Sequence, residues 1–422
     1  MTASLQTAEV IAVGSELLGW TRLDTNSLFI SEKLAALGIE LKSKCVVGDD
    51  RRRLRELFVH ALARADVVLL TGGLGPTDDD VTREVVAEAL GVRLVEDPAI
   101  TERIRTRFER RGMRMPEVNR RQAMVPEGAR VLPNAHGTAP GLLIESPPKI
   151  AILLPGPPRE LHSILEALCA PGGALAERAG SERIHRVSLF TTGRSESHVE
   201  EIAQPIYSKL LGATPPIETT ILATPGQVEL HLWTRSADET TAVAALDAAR
   251  NDLVAALGDC VFTIDGRSLD LIVSERLRSR GLSFAAAESC TGGLLLQRMT
   301  AIPGSSAYVR GGVVAYSNEL KTSLLGVDPD LLARHGAVSE AVAAAMVDAI
   351  RERTLADVCV AITGIAGPGG GTASKPVGTV VLAVRVPGRP LWVRTYLFVG
   401  GREMVRQQSA QAALDQIRRL LN

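Results

Sequence analysis

Ser289-Cys290-Thr291-Gly292-Gly293 places three side chains capable of nucleophilic attack and two flexible backbone positions in five consecutive residues. A hydroxyl or thiol there can attack a carbonyl carbon once a base takes its proton, and the paired glycines let a substrate approach the main chain. Leu294 to Met299 reads as the opening of a helix, whose unpaired N–H groups near Thr291 and Gly292 would suit an oxyanion or a phosphate. A plainer use also stands: Ser289 or Thr291 caps the helix and Cys290 fills the core.

A serine needs a base. Tyr316 and Lys321, in Tyr316-Ser317-Asn318-Glu319-Leu320-Lys321, follow a strand-like run and can converge on Ser289. A lysine acts as a base only if its pKa falls far below ~10.4, through desolvation or a neighbouring positive charge. Tyr316 would relay or position the proton. By spacing alone the stronger reading makes Tyr316 a core aromatic and Lys321 a solvated helix residue. Thr363-Gly364-Ile365-Ala366-Gly367-Pro368-Gly369-Gly370-Gly371 holds more glycine than a turn needs and suits a backbone cradle. In Gly400 to Arg406, a guanidinium at a helix start suits a phosphate monoester, although Arg406 serves equally as a solvated residue.

A second chemistry is written near the other end. Thr71-Gly72-Gly73-Leu74-Gly75-Pro76-Thr77-Asp78-Asp79-Asp80 sets three glycines beside three acids, a combination for phosphate and a divalent cation. Helix capping accounts for one of those acids. The loops Asn119 to Ala123, Asn134 to Gly141 and Pro155 to Glu160 suit the same pocket; His136, alone in its loop, reads as solvated.

The elements that must carry these loops follow from hydrophobic pattern. Apolar strands at 9–13, 45–47 and 67–71 alternate with helical spacing at 26–37 and 54–62, the sign of a doubly wound, mostly parallel sheet with ligands at the carboxyl ends of its strands. Residues 170–180 are rich in small residues and read as a linker. A small α+β module follows, with strands at 186–190 and 228–233 and helices at 199–211 and 241–257. The last part is again α/β, with a helix from Leu269 to Leu277, strands at 282–285, 311–316 and 358–362, and a final helix after Gly401. The expected domains are 1–172, 181–262 and 265–422, in line with about one per ~150 residues.

Composition narrows the function. A 45% hydrophobic, 3% aromatic chain fills its cores with aliphatic residues, and a net charge of -1 gives no general attraction to polyanions or membranes. The middle module carries six Lys and Arg against eleven Asp and Glu across 181–260 and lacks a Gly-x-x-Gly clamp, so nucleic acid is not its expected partner. Five scattered cysteines without C-x-x-C spacing fit a reducing compartment. With no secretory signal pattern or spanning apolar run, a cytoplasmic location is expected.

Gly14-Ser15-Glu16-Leu17, Asp24-Thr25-Asn26, the Thr71 to Thr82 loop, Gly137 to Gly141 and Pro155 to Pro158 together resemble the molybdopterin-binding fold of MoaB and MogA type proteins. More narrowly, they resemble the N-terminal domain of the competence/damage-inducible CinA family. The middle module is similar to that family's KH-like domain. The features from Ala286 to Arg406 closely resemble its C-terminal domain, the PncC family of nicotinamide mononucleotide amidohydrolases.

The resemblance implies two activities. In the C-terminal domain the family's Ser, Tyr and Lys set falls on Ser289, Tyr316 and Lys321. Cys290, Thr291, Gly292, Gly293, Asn318, Thr363, Gly364, Ala366, Gly367 and Arg402 would contact substrate, and no cofactor is implied. In the N-terminal domain it implies metal-dependent hydrolysis of ADP-ribose with Mg, Mn or Co. The carboxylate candidates are Asp79, Asp80, Glu16 and Asp24 in falling order, with Asp79 and Asp80 as metal ligands. Contacts to that substrate would come from Gly14, Ser15, Glu16, Asp24, Asn26, Thr71, Gly72, Gly73, Gly75, Thr77, Asn119, Gly137, Thr138, Ala139, Gly156 and Pro157. A homodimer binding small nucleotides is implied. The alternatives are an N-terminal module that binds molybdopterin or another nucleotide without turnover, or a competence-associated interaction protein.

Overall fold

The structure, a computed structural model, describes residues 4–422. The chain divides into two compact units, one running up to His185 with Arg235–Ala242, the other comprising Arg186–Thr234 and Val243–Asn422.

The first unit is built on β1 (Thr7–Val13), α1 (Asn26–Ala36), β2 (Glu40–Val47), α2 (Arg51–Arg64), β3 (Val67–Thr71) and α3 (Thr82–Leu90). It continues through β4 (Leu94–Glu96), α4 (Pro98–Glu109), a 3-10 turn at Glu117–Ala123, and β5 (Met124–Pro126). It closes with β6 (Arg130–Leu132), β7 (Gly141–Ser146), β8 (Lys149–Leu154) and α5 (Pro158–Cys169). The main sheet has the order β2-β1-β3-β8-β7-β6, parallel from β2 to β8 and antiparallel beyond. β3 shows why: Val67 and Leu69 enter one hydrophobic cluster, Val68 and Leu70 the other, so a continuous apolar run is buried on both faces.

Residues 170–180 are not a free linker. Leu175 is fully buried beside Leu5, and Leu5 forms a β-bridge with Ala179, so this small-residue stretch is packed into the first unit's core.

A four-stranded sheet of β9 (Arg183–Thr192), β10 (Glu218–Thr224), β11 (Gln227–Ser236) and β12 (Val261–Thr263), with α6 (Glu196–Tyr207) and α7 (Glu239–Leu257), forms the middle module. Then come α8 (Leu269–Ser279), β13 (Phe284–Glu288), α9 (Leu294–Thr300), β14 (Val309–Val314), α10 (Asn318–Ser323), α11 (Pro329–His335) and α12 (Glu340–Thr354). β15 (Val358–Gly364), β16 (Thr379–Arg385), β17 (Trp392–Leu397) and α13 (Arg402–Leu420) end the chain. This five-stranded sheet runs β14-β13-β15-β16-β17, with β13 parallel to both of its neighbours. Alanines at the centre of β13 let layers close on each side: Ala286 joins the cluster that contains α13, Ala285 and Ala287 the cluster that contains α12. No helix among the described residues is long and apolar enough to cross a membrane.

Candidate functional site

β13 extends through Glu288, three residues beyond the strand expected at 282–285, so the serine loop is only 289–293. Both ends of this loop are tied. Glu288 is fully buried and accepts main-chain N–H bonds at Oε2 from Gly293 (3.0 Å) and Leu295 (3.1 Å), and at Oε1 from Leu296 (2.8 Å). The carboxylate closing the strand thereby satisfies the orphan donors of α9. From α13, Arg406 donates Nε (3.2 Å) and Nη2 (2.9 Å) to the Thr291 carbonyl. Gly292 and Gly293 turn the chain at φ 61° and 92°, a region that strains any side chain.

This holds Ser289, 7% exposed, against Lys321, 2% exposed, with Nζ 3.1 Å from Oγ. Ser317 caps α10 by accepting from Leu320 N–H, and one turn on, Lys321 points inward. Its Nζ also donates to the carbonyls of Ala315 (3.0 Å) and Tyr316 (3.3 Å). Desolvation lowers the Lys321 pKa from the ordinary lysine value, against smaller opposing effects of Cys290 and Glu319. The three partners suit both protonation states. The ammonium donates to all three oxygens; the neutral amine keeps two N–H bonds to the carbonyls and turns its lone pair to the Ser289 hydroxyl.

Tyr316 is 53% exposed, not a core aromatic, and its hydroxyl accepts from Arg402 Nη2 (2.6 Å). It meets Lys321 through its main-chain carbonyl, and Lys321 reaches Ser289 with no side chain between them. Arg402 Nη1 also donates to the Gly367 carbonyl (2.9 Å), joining the glycine-rich loop to the start of α13. Cys290 is buried among Leu295, Val360 and Ile362, and burial pushes its thiol up to about 12, which leaves it protonated near neutrality. Of the loop's N–H groups, that of Ser289 donates to Ile362 O (2.9 Å) and that of Gly292 to Ser289 O (3.0 Å). Gly292 therefore has no free donor for an oxyanion. Among the described residues the N–H groups of Cys290 and Thr291 have no acceptor.

The remaining C-terminal candidates divide by role. Thr363 is buried and donates to Ala337 O (2.8 Å), while Gly364 lies where a Cβ would fall 2.7 Å from Val380, so both hold the loop rather than present it. Ala366 is buried in the core, and Asn318 is exposed at the first turn of α10.

In the first unit, a cavity of about 630 Å³ opens at the carboxyl ends of the parallel strands. Every N-terminal residue named above as a substrate contact or metal ligand lines it except Ser15, Thr77, Asn119 and Gly137. These four instead hydrogen-bond to neighbouring residues of the loops. Ser15 exchanges hydrogen bonds with Asp49, Thr77 donates N–H (2.9 Å) and Oγ1 (2.6 Å) to Asp80 Oδ2, Asn119 donates to Gln122 Oε1, and Gly137 N–H donates to Asn134 Oδ1. Arg22, Asp49, Gln122 and Glu160 also line the cavity. Glu160 and Gln122 belong to loops the pattern placed there; Arg22 gave no signal. The glycine loop rests on Arg83, 1% exposed, which donates to the carbonyls of Leu74 (2.6 Å) and Gly75 (2.9 Å).

Among the described residues, no group of three His, Cys, Asp or Glu side chains is placed to hold a metal ion. Asp80 is engaged by Thr77, and Asp24 by Ser27 N–H and Oγ. Asp79, exposed at the cavity wall, and Glu16 remain. One or two carboxylates fit a hydrated magnesium ion that takes its other ligands from water and substrate phosphate, but not an all-protein cage.

Two α/β folds, one presenting a lysine-held serine and the other a glycine-rich cavity walled by acids, give the chain two candidate sites. Residues 9–172 match the family described as "Probable molybdopterin binding domain" and residues 267–421 the "CinA C-terminal domain". The chain is 42% identical to a CinA-like protein of Solibacter usitatus, over 98% of this chain and 97% of that one. It is 44% identical to a CinA-like protein of Koribacter versatilis, over 98% and 99%. A solved structure of the competence/damage inducible protein CihA from Agrobacterium tumefaciens is 37% identical, covering 37% of this chain and 98% of that one, with a TM-score of 0.35. The chain belongs to the CinA family.

Proposed function

We propose that the C-terminal site is a serine amidohydrolase that converts nicotinamide mononucleotide to nicotinate mononucleotide and ammonia. The observation that carries this reading is the 3.1 Å contact between the buried Lys321 Nζ and Ser289 Oγ. The neutral amine takes the serine proton as Oγ bonds to the carboxamide carbon. The oxyanion lies at the N–H groups of Cys290 and Thr291. Lys321 returns the proton to the leaving nitrogen, the C–N bond breaks, and ammonia departs. Water then attacks the ester, gives its proton to Lys321, and releases nicotinate mononucleotide as Ser289 recovers its hydrogen. Arg402, bridging Tyr316 and Gly367, supplies the cation for the substrate phosphate. The test is ammonia release from nicotinamide mononucleotide: loss in Ser289→Ala and survival in Cys290→Ala support the assignment, and the reverse pattern overturns it.

The second reading concerns the first unit. Its acid-walled cavity favours hydrolysis of ADP-ribose to AMP and ribose 5-phosphate, in which Asp79 would hold a divalent Mg, Mn or Co ion that would supply the charge to offset the diphosphate. Asn26 sits at the wall with its amide N–H on Gly156 O (2.7 Å), leaving its buried Oδ1 for a ligand donor. Product formation that stops with chelator while ammonia release continues supports it. Tight nucleotide binding without product across several metals would make the unit a binding module instead. A cytoplasmic homodimer completes the proposal, checked by sedimentation of the full chain.

A further inference from the structure

The wall of the N-terminal cavity changes sign on one side. Toward the glycine loop it carries Glu16, Asp24, Asp49, Asp79 and Asp80 against, among the described residues, the single cation Arg22. Across Pro157 and Glu160, which line both spaces, lies a groove of about 440 Å³ whose other charged or titratable residues are Arg107, Arg111, His136 and Arg159. Three guanidiniums thus share one concavity with a single carboxylate, and that carboxylate, Glu160, accepts from Asn134 Nδ2 (2.6 Å). Among the described residues, the guanidiniums of Arg111 and Arg159 have no hydrogen-bond or ion-pair partner, although the Arg111 main-chain N–H donates to Phe108 O (2.9 Å).

The groove is built. Arg107 donates to the carbonyls of Ala135 (3.4 Å) and His136, fixing the loop that carries the histidine. Asn134, 5% exposed, accepts from the N–H groups of His136 (2.9 Å) and Gly137 (2.8 Å) and donates to Ala139 O (2.7 Å). Three guanidiniums set against one carboxylate leave an excess of positive charge that repels itself, and the arrangement becomes favourable when an anion enters.

We propose that this groove is an anion subsite contiguous with the main cavity, taking a phosphate monoester carried by the ligand apart from its diphosphate. The acidic side demands a cation before it accepts phosphate; the arginine side accepts phosphate directly, through planar guanidiniums suited to bidentate contact. The ligand class is therefore a nucleotide with two separated anionic groups. The inference rests on reading the cavity as a nucleotide site, and its test separates the two.

In the full-length protein, inorganic phosphate is titrated while the seven histidines are followed by NMR, with His136→Gln supplying the assignment. The expected result is a saturable shift at His136, absent with chloride at equal ionic strength, and weakened about tenfold in the Arg111→Gln/Arg159→Gln double variant, two exposed positions. ADP-ribose and ADP-ribose 2′-phosphate are then compared by calorimetric titration. The extra phosphate should tighten binding about tenfold in the wild type and not in the double variant. A missing or variant-insensitive His136 shift overturns the subsite, and equal affinities in the wild type overturn its continuity with the cavity. If both results hold while ADP-ribose is bound but never hydrolysed, the hydrolytic reading falls and the subsite stands.

Discussion

Lys321 is the residue on which the C-terminal chemistry turns, because one buried amine must be both a base and a donor. Its lowered pKa sets a sign for activity: deamidation rises with pH through an apparent pKa below the ~10.4 of a free lysine, as the neutral form becomes populated. Lys321→Met should reduce kcat by about 10³-fold or more and flatten that limb of the pH profile. It also sets a sign for stability. The unfolded chain binds this proton more tightly than the folded one, so between the two pKa values the unfolded state carries more protons and stability rises with pH, reaching its full value above ~10.4. Below the folded pKa the buried charge weakens the fold. Denaturant midpoints of wild type and Lys321→Met, compared at pH 7 and pH 10, should therefore show the variant's relative advantage shrinking as pH rises. A constant difference would mean that Lys321 titrates as an ordinary surface amine.

At the scale of elements, the nucleophile is only as well placed as the strand and helices that grip its loop. Arg406→Leu removes both bonds to Thr291 O from α13 and leaves α10 untouched. It should lower kcat for deamidation by about ten- to a hundredfold through loss of about 1.5–3 kcal/mol of charged hydrogen bonding at the loop, with KM little changed. Steady-state kinetics check this, and a variant that changes only KM contradicts a positioning role. In the first unit, Arg83→Met keeps the volume but frees the carbonyls of Leu74 and Gly75, and should weaken ADP-ribose binding while sparing ammonia release.

These supports mark where the sequence stopped being readable. The strand-loop-helix at Ser289 was visible because an apolar run, a Ser-Cys-Thr-Gly-Gly corner and a second apolar run are local patterns. The parallel sheet of the first unit was visible for the same reason. The inward turn of Lys321 was not, since burial of a charged helix residue is decided by which neighbours close over it. Arg83 and Glu288 carry the same lesson: each reads as a solvated charge until the backbone groups it satisfies are brought to it. Tyr316 read by spacing as a core aromatic, and spacing could not show that it meets Lys321 through its carbonyl while its exposed ring carries the hydroxyl to Arg402. β17 gave no signal because its residues are half exposed at a sheet edge, without clean alternation.

For the whole molecule, each unit carries its own hydrophobic clusters and its own candidate site, so damage to one core should be read separately from the other. Phe58, fully buried on α2, belongs to a cluster that backs the β3 end of the acid-walled cavity. Phe58→Ala should cost the first unit about 3–5 kcal/mol, because the vacated ring space cannot fully collapse. A loss of that size moves a melting transition by on the order of 10 °C in a unit of this length. Calorimetry of the full chain should then show one transition displaced downward and one unmoved, with the kinetics of ammonia release at 25 °C preserved and ADP-ribose binding impaired. Were both transitions to fall together, the two sites would stand on a single cooperative structure, and a ligand held in the acid-walled cavity would have to stabilise the serine loop as well, by linkage.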